Sequence, residues 1–389
     1  KNDFRVVELP AADIVERTAR QFYESLTARN KQVKFETPAE RDDRILQADS
    51  DLDKLSSELG RMVLAPAASL LKNKRLLIVA DGALQYVPFA ALSFGGADTT
   101  GQNTKVKNRF LIETNEIVSL PSASALAVLR KETLGRRPAP KTLAVLADPI
   151  FNKDDERFDA FANKNKLNQK PDNKIELIAL TKKQTRSAGD VGDGLDLARL
   201  PFTRREADLI TSVVPDGQKE KWLDFAANRR SATSPQLSNY RFVHFATHGF
   251  INDQSPELSG LVFSTIDETG KSQDGFLRVG DIYNLKLPSE MVVLSGCRTG
   301  LGKDIKGEGL VGLTRAFMYA GAKRVTVSLW DINDEATSEL MSHFYREMFG
   351  AKKHSPAFAL RQAQNTMIND KRWNNPYFWA TFVLQGESK

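Results

Sequence analysis

Cysteine is nearly absent: the chain has one, Cys297, alongside four histidines, His244, His248, His343 and His354. A single thiol excludes an internal disulfide framework and any multi-cysteine zinc site, and it leaves the redox compartment open. Long apolar runs are missing too. Residues 377–384, among the longest, reach about half of the roughly 18 residues that a membrane helix needs, so no membrane span or membrane partner is expected. Repeats at a 34- or 40-residue period are absent, which argues against a solenoid. No residue type dominates, and 24 glycines with 16 prolines in 389 residues exclude collagen-like and low-complexity classes. Charge of one sign is in small excess, 55 Lys and Arg against 49 Asp and Glu. With no basic stripe interleaved with aromatics, direct nucleic-acid binding is not expected. What remains is a globular chain whose 41% hydrophobic content suffices for one large or two ordinary cores. It opens on Lys1 with neither an initiator methionine nor an apolar leader, and so reads as a trimmed or processed piece in which native targeting is not visible. The expected compartment is the cytoplasm.

Two periodicities divide the chain. Residues 11–72 carry apolar residues at helical spacing, Ile14, Ala19, Phe22 and Leu26 and then Leu52, Leu55, Leu59 and Val63, and predict an N-terminal helical segment over 1–72. From residue 73 to 389, short apolar runs at 75–80, 143–147, 241–246, 260–263, 291–294, 324–329 and 378–384 read as buried strands. Helical patterns separate several of them, notably Leu310, Leu313 and Phe317, and Ala336, Leu340, Phe344 and Met348 in i+4 steps. Ser355-Pro356 supplies a further helix start. This alternation predicts an α/β domain with a mostly parallel sheet covered on both faces. Residues 152–200, rich in Lys, Asp, Asn and Gly, read as a mobile insertion, the plain alternative being a solvated loop with no role.

In an open parallel sheet, chemistry collects at the carboxyl ends of strands. The run 241–246 leads into Thr247-His248-Gly249, and 291–294 leads into Ser295-Gly296-Cys297. The lone cysteine and a histidine 49 residues upstream thus fall at two strand ends, a spacing like that of caspase-type peptidases. Imidazole that takes the thiol proton makes the thiolate a nucleophile, and the glycines let backbone N–H groups turn toward an oxyanion. The alternatives are a buried small hydrophobe for Cys297 and a carbonyl-capping loop residue for His248. Other motifs fail. Residues 307–312 fit GxGxxG but follow a loop rather than a strand, and Gly302-Lys303 lacks the rest of a P-loop. His244 and His248 stand four residues apart in a strand, about 13 Å, too far for one zinc.

The segments VHFATHGF (243–250), VVLSGCRTG (292–300), GEGLVGLTRAFMYAGAKRVTVSLWDINDEAT (307–337) and NPYFWATFVLQG (375–386), with DGALQYVPFAAL (81–92) upstream, resemble the CHAT family. These are caspase-like domains often associated with tetratricopeptide repeats, in the set that includes caspases, separases, legumains and gingipains. The resemblance implies a caspase-like three-layer α/β/α sandwich over 73–389. It also implies a cysteine endopeptidase with Cys297 as nucleophile, His248 as base and the N–H groups of Gly249 and Cys297 as oxyanion hole, needing no cofactor or metal. Ser295-Gly296-Cys297 departs from the Gln-Ala-Cys of caspases and points to the separase-like side. There the block after Leu329 supplies acids for a basic P1 side chain. Asp331, Asp334 and Asp81 are the candidates here, the alternative being helix-cap and turn residues.

The expected partners are a protein substrate and an activating protein or upstream repeat domain. By resemblance, a switched role in bacterial defence or a programmed response is expected. Residues 298–309 hold four glycines and three basic residues, so Thr299, Gly300, Gly302 and Gly307 are expected in a mobile regulatory loop. A peptidase-shaped interaction module with an idle dyad is the alternative to the enzyme.

Overall fold

The computed structural model describes residues 4–93, 110–158, 160–161, 197–250, 255–298, 308–331 and 333–388. Its helices are α1 (Ala12–Leu26), α2 (Pro38–Val63), α3 (Ala123–Thr133), α4 (Pro201–Ser212), α5 (Glu308–Tyr319), α6 (Asp334–Phe349) and α7 (Pro356–Asn369), with several single turns. The strands are β1 (Leu76–Val79), β2 (Ile117–Leu120), β3 (Lys141–Pro149), β4 (Lys219–Asp224) and β5 (Tyr240–Phe250). They continue with β6 (Gly260–Val262), β7 (Phe276–Arg278), β8 (Met291–Arg298), β9 (Arg324–Ser328) and β10 (Phe382–Gly386). Most of the predicted insertion, and all of Thr299, Gly300, Gly302 and Gly307, lie outside the described residues.

The strands form one sheet in the order β1-β2-β10-β9-β8-β5-β3-β4, with β6 and β7 joined to the end of β5. Among the strands described, only the β10–β9 and the β6 and β7 pairings are antiparallel. From β3 the chain steps outward to β4 and then returns to the other side of β3 as β5, so the strand order reverses between β3 and β5, the kind of crevice where open α/β sheets place ligands.

Alternation along β5 decides what each face packs on. His244 points to Tyr345 of α6 and Glu206 of α4, whereas the next residue, Phe245, packs its ring on Phe317 of α5. Helices therefore cover both faces, and the layers are α/β/α as the fold class required. Phe242, Val243, Phe245 and Ala246 of β5 and Met291, Val292, Val293 and Leu294 of β8 are buried because helices cover both faces of the sheet.

Helix α2 starts cleanly because Thr37 and Glu40 form a capping box with Pro38 at the first helical position. Val15, Ala19, Phe22 and Leu26 of α1 and Leu52 and Leu59 of α2 enter the same apolar cluster as the sheet. Tyr23 carries α1 to the end of β9, its hydroxyl donating to the Leu329 carbonyl at 2.9 Å and its ring set edge-on to Trp330. Among the described residues no helix is long and apolar enough to cross a membrane.

Candidate active site

The runs that end, in sequence terms, at Ala246 and Leu294 continue as strand to Phe250 and Arg298. The cause for β5 is a pairing that the sequence did not reveal: β6, itself read as a strand, pairs with Gly249 and Phe250. His248 and Cys297 thus belong to the ends of the two central strands rather than to the loops after them.

Between those ends the ladder slips. Ala246 faces Ser295 and Gly249 faces Cys297, so Thr247 and His248 together stand against Gly296 alone. A bulge of this kind re-aims a side chain at the sheet rim. It depends on Gly296, which has φ +98°, the left-handed region that favours glycine. A Cβ at this position would lie 2.8 Å from the Thr247 carbonyl oxygen. Neighbouring strands run about 4.8 Å apart, so the backbones of His248 and Cys297 are next to each other, and Gly249 and Cys297 occupy one rung.

His248 is buried, 5% exposed. Its Nε2 lies 2.7 Å from the Ala198 carbonyl oxygen, and its ring packs against Phe151 at 5.2 Å. A carbonyl can only accept, so Nε2 carries the hydrogen and in the neutral imidazole Nδ1 holds the lone pair. Phe151 and Ala198 also border a cavity of about 360 Å³ whose wall includes Asp154, Asp155 and Glu156.

The three acids expected for a basic side chain are dispersed. Asp331 follows β9, one strand from β8. Its carbonyl is held by Asn30 Nδ2 at 2.7 Å and by the Tyr377 hydroxyl at 3.0 Å. Burial, with the Asp331 charge second, pushes the Tyr377 phenol up to about 12. Asp81 is exposed at the end of β1, four strands from β8, and accepts the Gly82 amide at 2.8 Å. It acts there as a turn residue, remote from His248, because the run that it ends forms the sheet edge.

Asp334 lies in the first turn of α6, where Asn333 rather than either aspartate supplies the N-cap. Its carboxylate receives the Phe202 amide at 3.4 Å, at the start of α4. Burial first, then the charge of Glu206, raises its pKa to about 6. A carboxyl whose folded value exceeds its unfolded value of about 3.9 opposes folding when ionised. The penalty is absent below about pH 4 and complete above pH 6, and two units correspond to at most about 3 kcal/mol. Asp334→Asn keeps an acceptor for the Phe202 amide. It is expected to raise unfolding free energy by about 1–3 kcal/mol at pH 8 and not at pH 4. A stability difference that does not change with pH in denaturant titrations would refute the assignment.

Two further clusters were not read from the sequence. Glu206, 1% exposed, lies 2.8 Å from Nε2 of the fully buried His244, whose Nδ1 is 3.0 Å from the Tyr345 hydroxyl. Burial, with Glu206 second, holds the Tyr345 phenol well above its ordinary value. The signal was a glutamate on the apolar stripe of α4, among Thr203, Ala207 and Ile210. The other cluster gathers Arg157, Arg199 and Arg204 around Asp148. Among the described residues, no group of three His, Cys, Asp or Glu side chains is placed to hold a metal ion.

The family description "CHAT domain" matches residues 53–387. Tetratricopeptide repeat protein 28 of Homo sapiens is 24% identical over 349 residues, covering 81% of this chain, and the chain spans only 12% of that relative's length. Among solved structures, the Saccharomyces cerevisiae separase–securin complex matches 97% of this chain and 22% of the other at 13% identity and a TM-score of 0.42. The Arg-specific cysteine proteinase gingipain R matches 97% of this chain and 75% of its own at 11% identity and a TM-score of 0.43.

Proposed function

The chain belongs to the CHAT domain family, and from that premise we propose that it is a cysteine endopeptidase in which Cys297 is the nucleophile and His248 the base. The observation that carries this reading is the β5–β8 register: a bulge and a left-handed glycine set the one cysteine beside a histidine whose Nε2–H is already committed to a carbonyl. In the proposed reaction His248 Nδ1 takes the thiol proton, and the sulfur attacks the scissile carbonyl to give an oxyanion facing the Gly249 and Cys297 amides. The imidazolium then protonates the leaving amine, and water hydrolyses the thioester by the same route reversed. No metal or cofactor enters these steps.

The substrate is a protein cut in an exposed segment, with activity switched by an activating protein or an upstream repeat domain, and the segment holding Thr299, Gly300, Gly302 and Gly307 is the proposed place of control. A basic P1 side chain suits the carboxylates near the strand ends: Asp331 one strand over, and Asp154 on the cavity beside Phe151 and Ala198. Incubation with a denatured protein mixture, followed by sequencing of new N-termini, is expected to show cuts after Arg or Lys. A map dominated by acidic or small apolar P1 residues would remove the basic specificity. An absence of new termini would favour an interaction module with an idle dyad.

A further inference from the structure

Behind His248 lies a dense group of charges that the reaction above does not use. Asp148, the penultimate residue of β3, has φ +48°, a left-handed conformation rare for a residue with a side chain, and its carboxylate is fully buried. It accepts Arg199 Nε and Nη2, one on each oxygen, at 3.1 Å. It also accepts Arg204 Nε at 2.7 Å and lies 2.8 Å from Arg157 Nη1. Arg157 and Arg204 share Asp224 in addition, Arg157 closes on Asp155, and Arg199 reaches Glu156 at 2.7 Å. The Asp148 amide donates to Thr203 Oγ1 at 3.2 Å. A fully buried carboxylate held by three guanidinium groups is a rigid anchor, since each arginine fixes it from a different direction.

Arg199 is the residue that follows Ala198, and residues 197–200 have no helix or strand of their own. The peptide that presents the Ala198 carbonyl to His248 is therefore tied down by two things, the start of α4 at Pro201 and the two-pronged Arg199–Asp148 contact. Paired parallel hydrogen bonds fix direction as well as distance.

We propose that Arg199 and Asp148 are positioning residues for the peptidase reaction, a clamp that holds the Ala198 carbonyl on Nε2–H of His248 and so keeps the Nδ1 lone pair available to Cys297. The proposal rests on His248 being the base. Neither residue touches substrate or sulfur in this account. With the clamp released the carbonyl drifts, Nε2–H loses its acceptor, and the imidazole divides between tautomers, one of which cannot take the thiol proton. Misplacement of a reacting group by about 1 Å costs on the order of 100-fold in rate.

The test uses Arg199→Gln, because Arg199 is partly exposed and its loss spares the buried carboxylate its other two arginines. Expected are a kcat lowered about 10- to 100-fold with KM within about twofold, an intermediate value for Arg199→Lys, and an unchanged fold by circular dichroism. In the full chain labelled with ¹⁵N-histidine, His248 should appear as the Nε2–H tautomer in the wild type and as a mixture in Arg199→Gln. Wild-type kcat in Arg199→Gln, or a lowered kcat with the Nε2–H tautomer intact, overturns the clamp. A wild-type chain without peptidase activity would defeat the function proposed above, and the tautomer comparison would still decide the clamp by itself.

Discussion

Replacing Cys297 with alanine is expected to lower proteolysis at least about 10³-fold and to change unfolding free energy by no more than about 1 kcal/mol. The substitution removes one sulfur and leaves the β5–β8 ladder, a matter of backbone, in place. His248→Ala should match the loss of activity, because a thiol without its base is a small minority of thiolate at neutral pH. It should be less neutral for the fold. The Ala198 carbonyl and the Phe151 ring both lose their partner, at a cost of about 1–3 kcal/mol. The double variant should be no less active than either single one, since the two groups act as a unit. Residual cleavage of more than a few percent in Cys297→Ala would assign the nucleophile elsewhere.

The largest effect on fold and activity together is expected from Gly296→Ala. A methyl group there meets the Thr247 carbonyl oxygen at 2.8 Å, and φ +98° is strained for alanine whatever the space. Thr247 cannot move aside cheaply, because it is 1% exposed and its hydroxyl donates to the Val262 carbonyl on the next strand. Relief must come from separating the ends of β5 and β8, which carry His248 and Cys297. We expect about 2–4 kcal/mol of lost stability and at least 100-fold lower kcat, read by urea unfolding and by peptidase assay on the fraction that remains folded. A Gly296→Ala chain with wild-type stability and activity would show that the rim does not depend on this close approach.

How far the sequence announced these features follows from what each one depends on. Helix α6 was legible as a helix because Ala336, Leu340, Phe344 and Met348 repeat on one face. Strands β5 and β8 were legible as apolar runs, but their last residues were not, since β5 owes its extension to β6 and to a bulge against a single glycine. Phe378 and Trp379, at the start of the run 378–384, read as strand for their apolar content, yet Asn375 caps a helical turn over Pro376–Trp379 before β10 begins at Phe382. Asp81 looked like its counterparts at other strand ends, and sequence spacing says nothing of how many strands lie between. Asp148 with Arg199 and Arg204, and Glu206 with His244, are contacts between residues far apart in the chain, so a periodic pattern holds no trace of the pairing. The misplaced glutamate on the stripe of α4 is the one local hint.

Because Cys297 is the only cysteine, its alkylation by iodoacetamide, followed by intact mass, tests the His248–Cys297 pair without knowledge of the substrate. At pH 6.5 a free thiol is only about 1% thiolate. The account predicts that at this pH the wild-type chain is alkylated at least about 10-fold faster than His248→Ala, with the two rates converging above pH 9. Equal rates across the whole range would mean that His248 does not activate Cys297, and the proposed peptidase would lose its base.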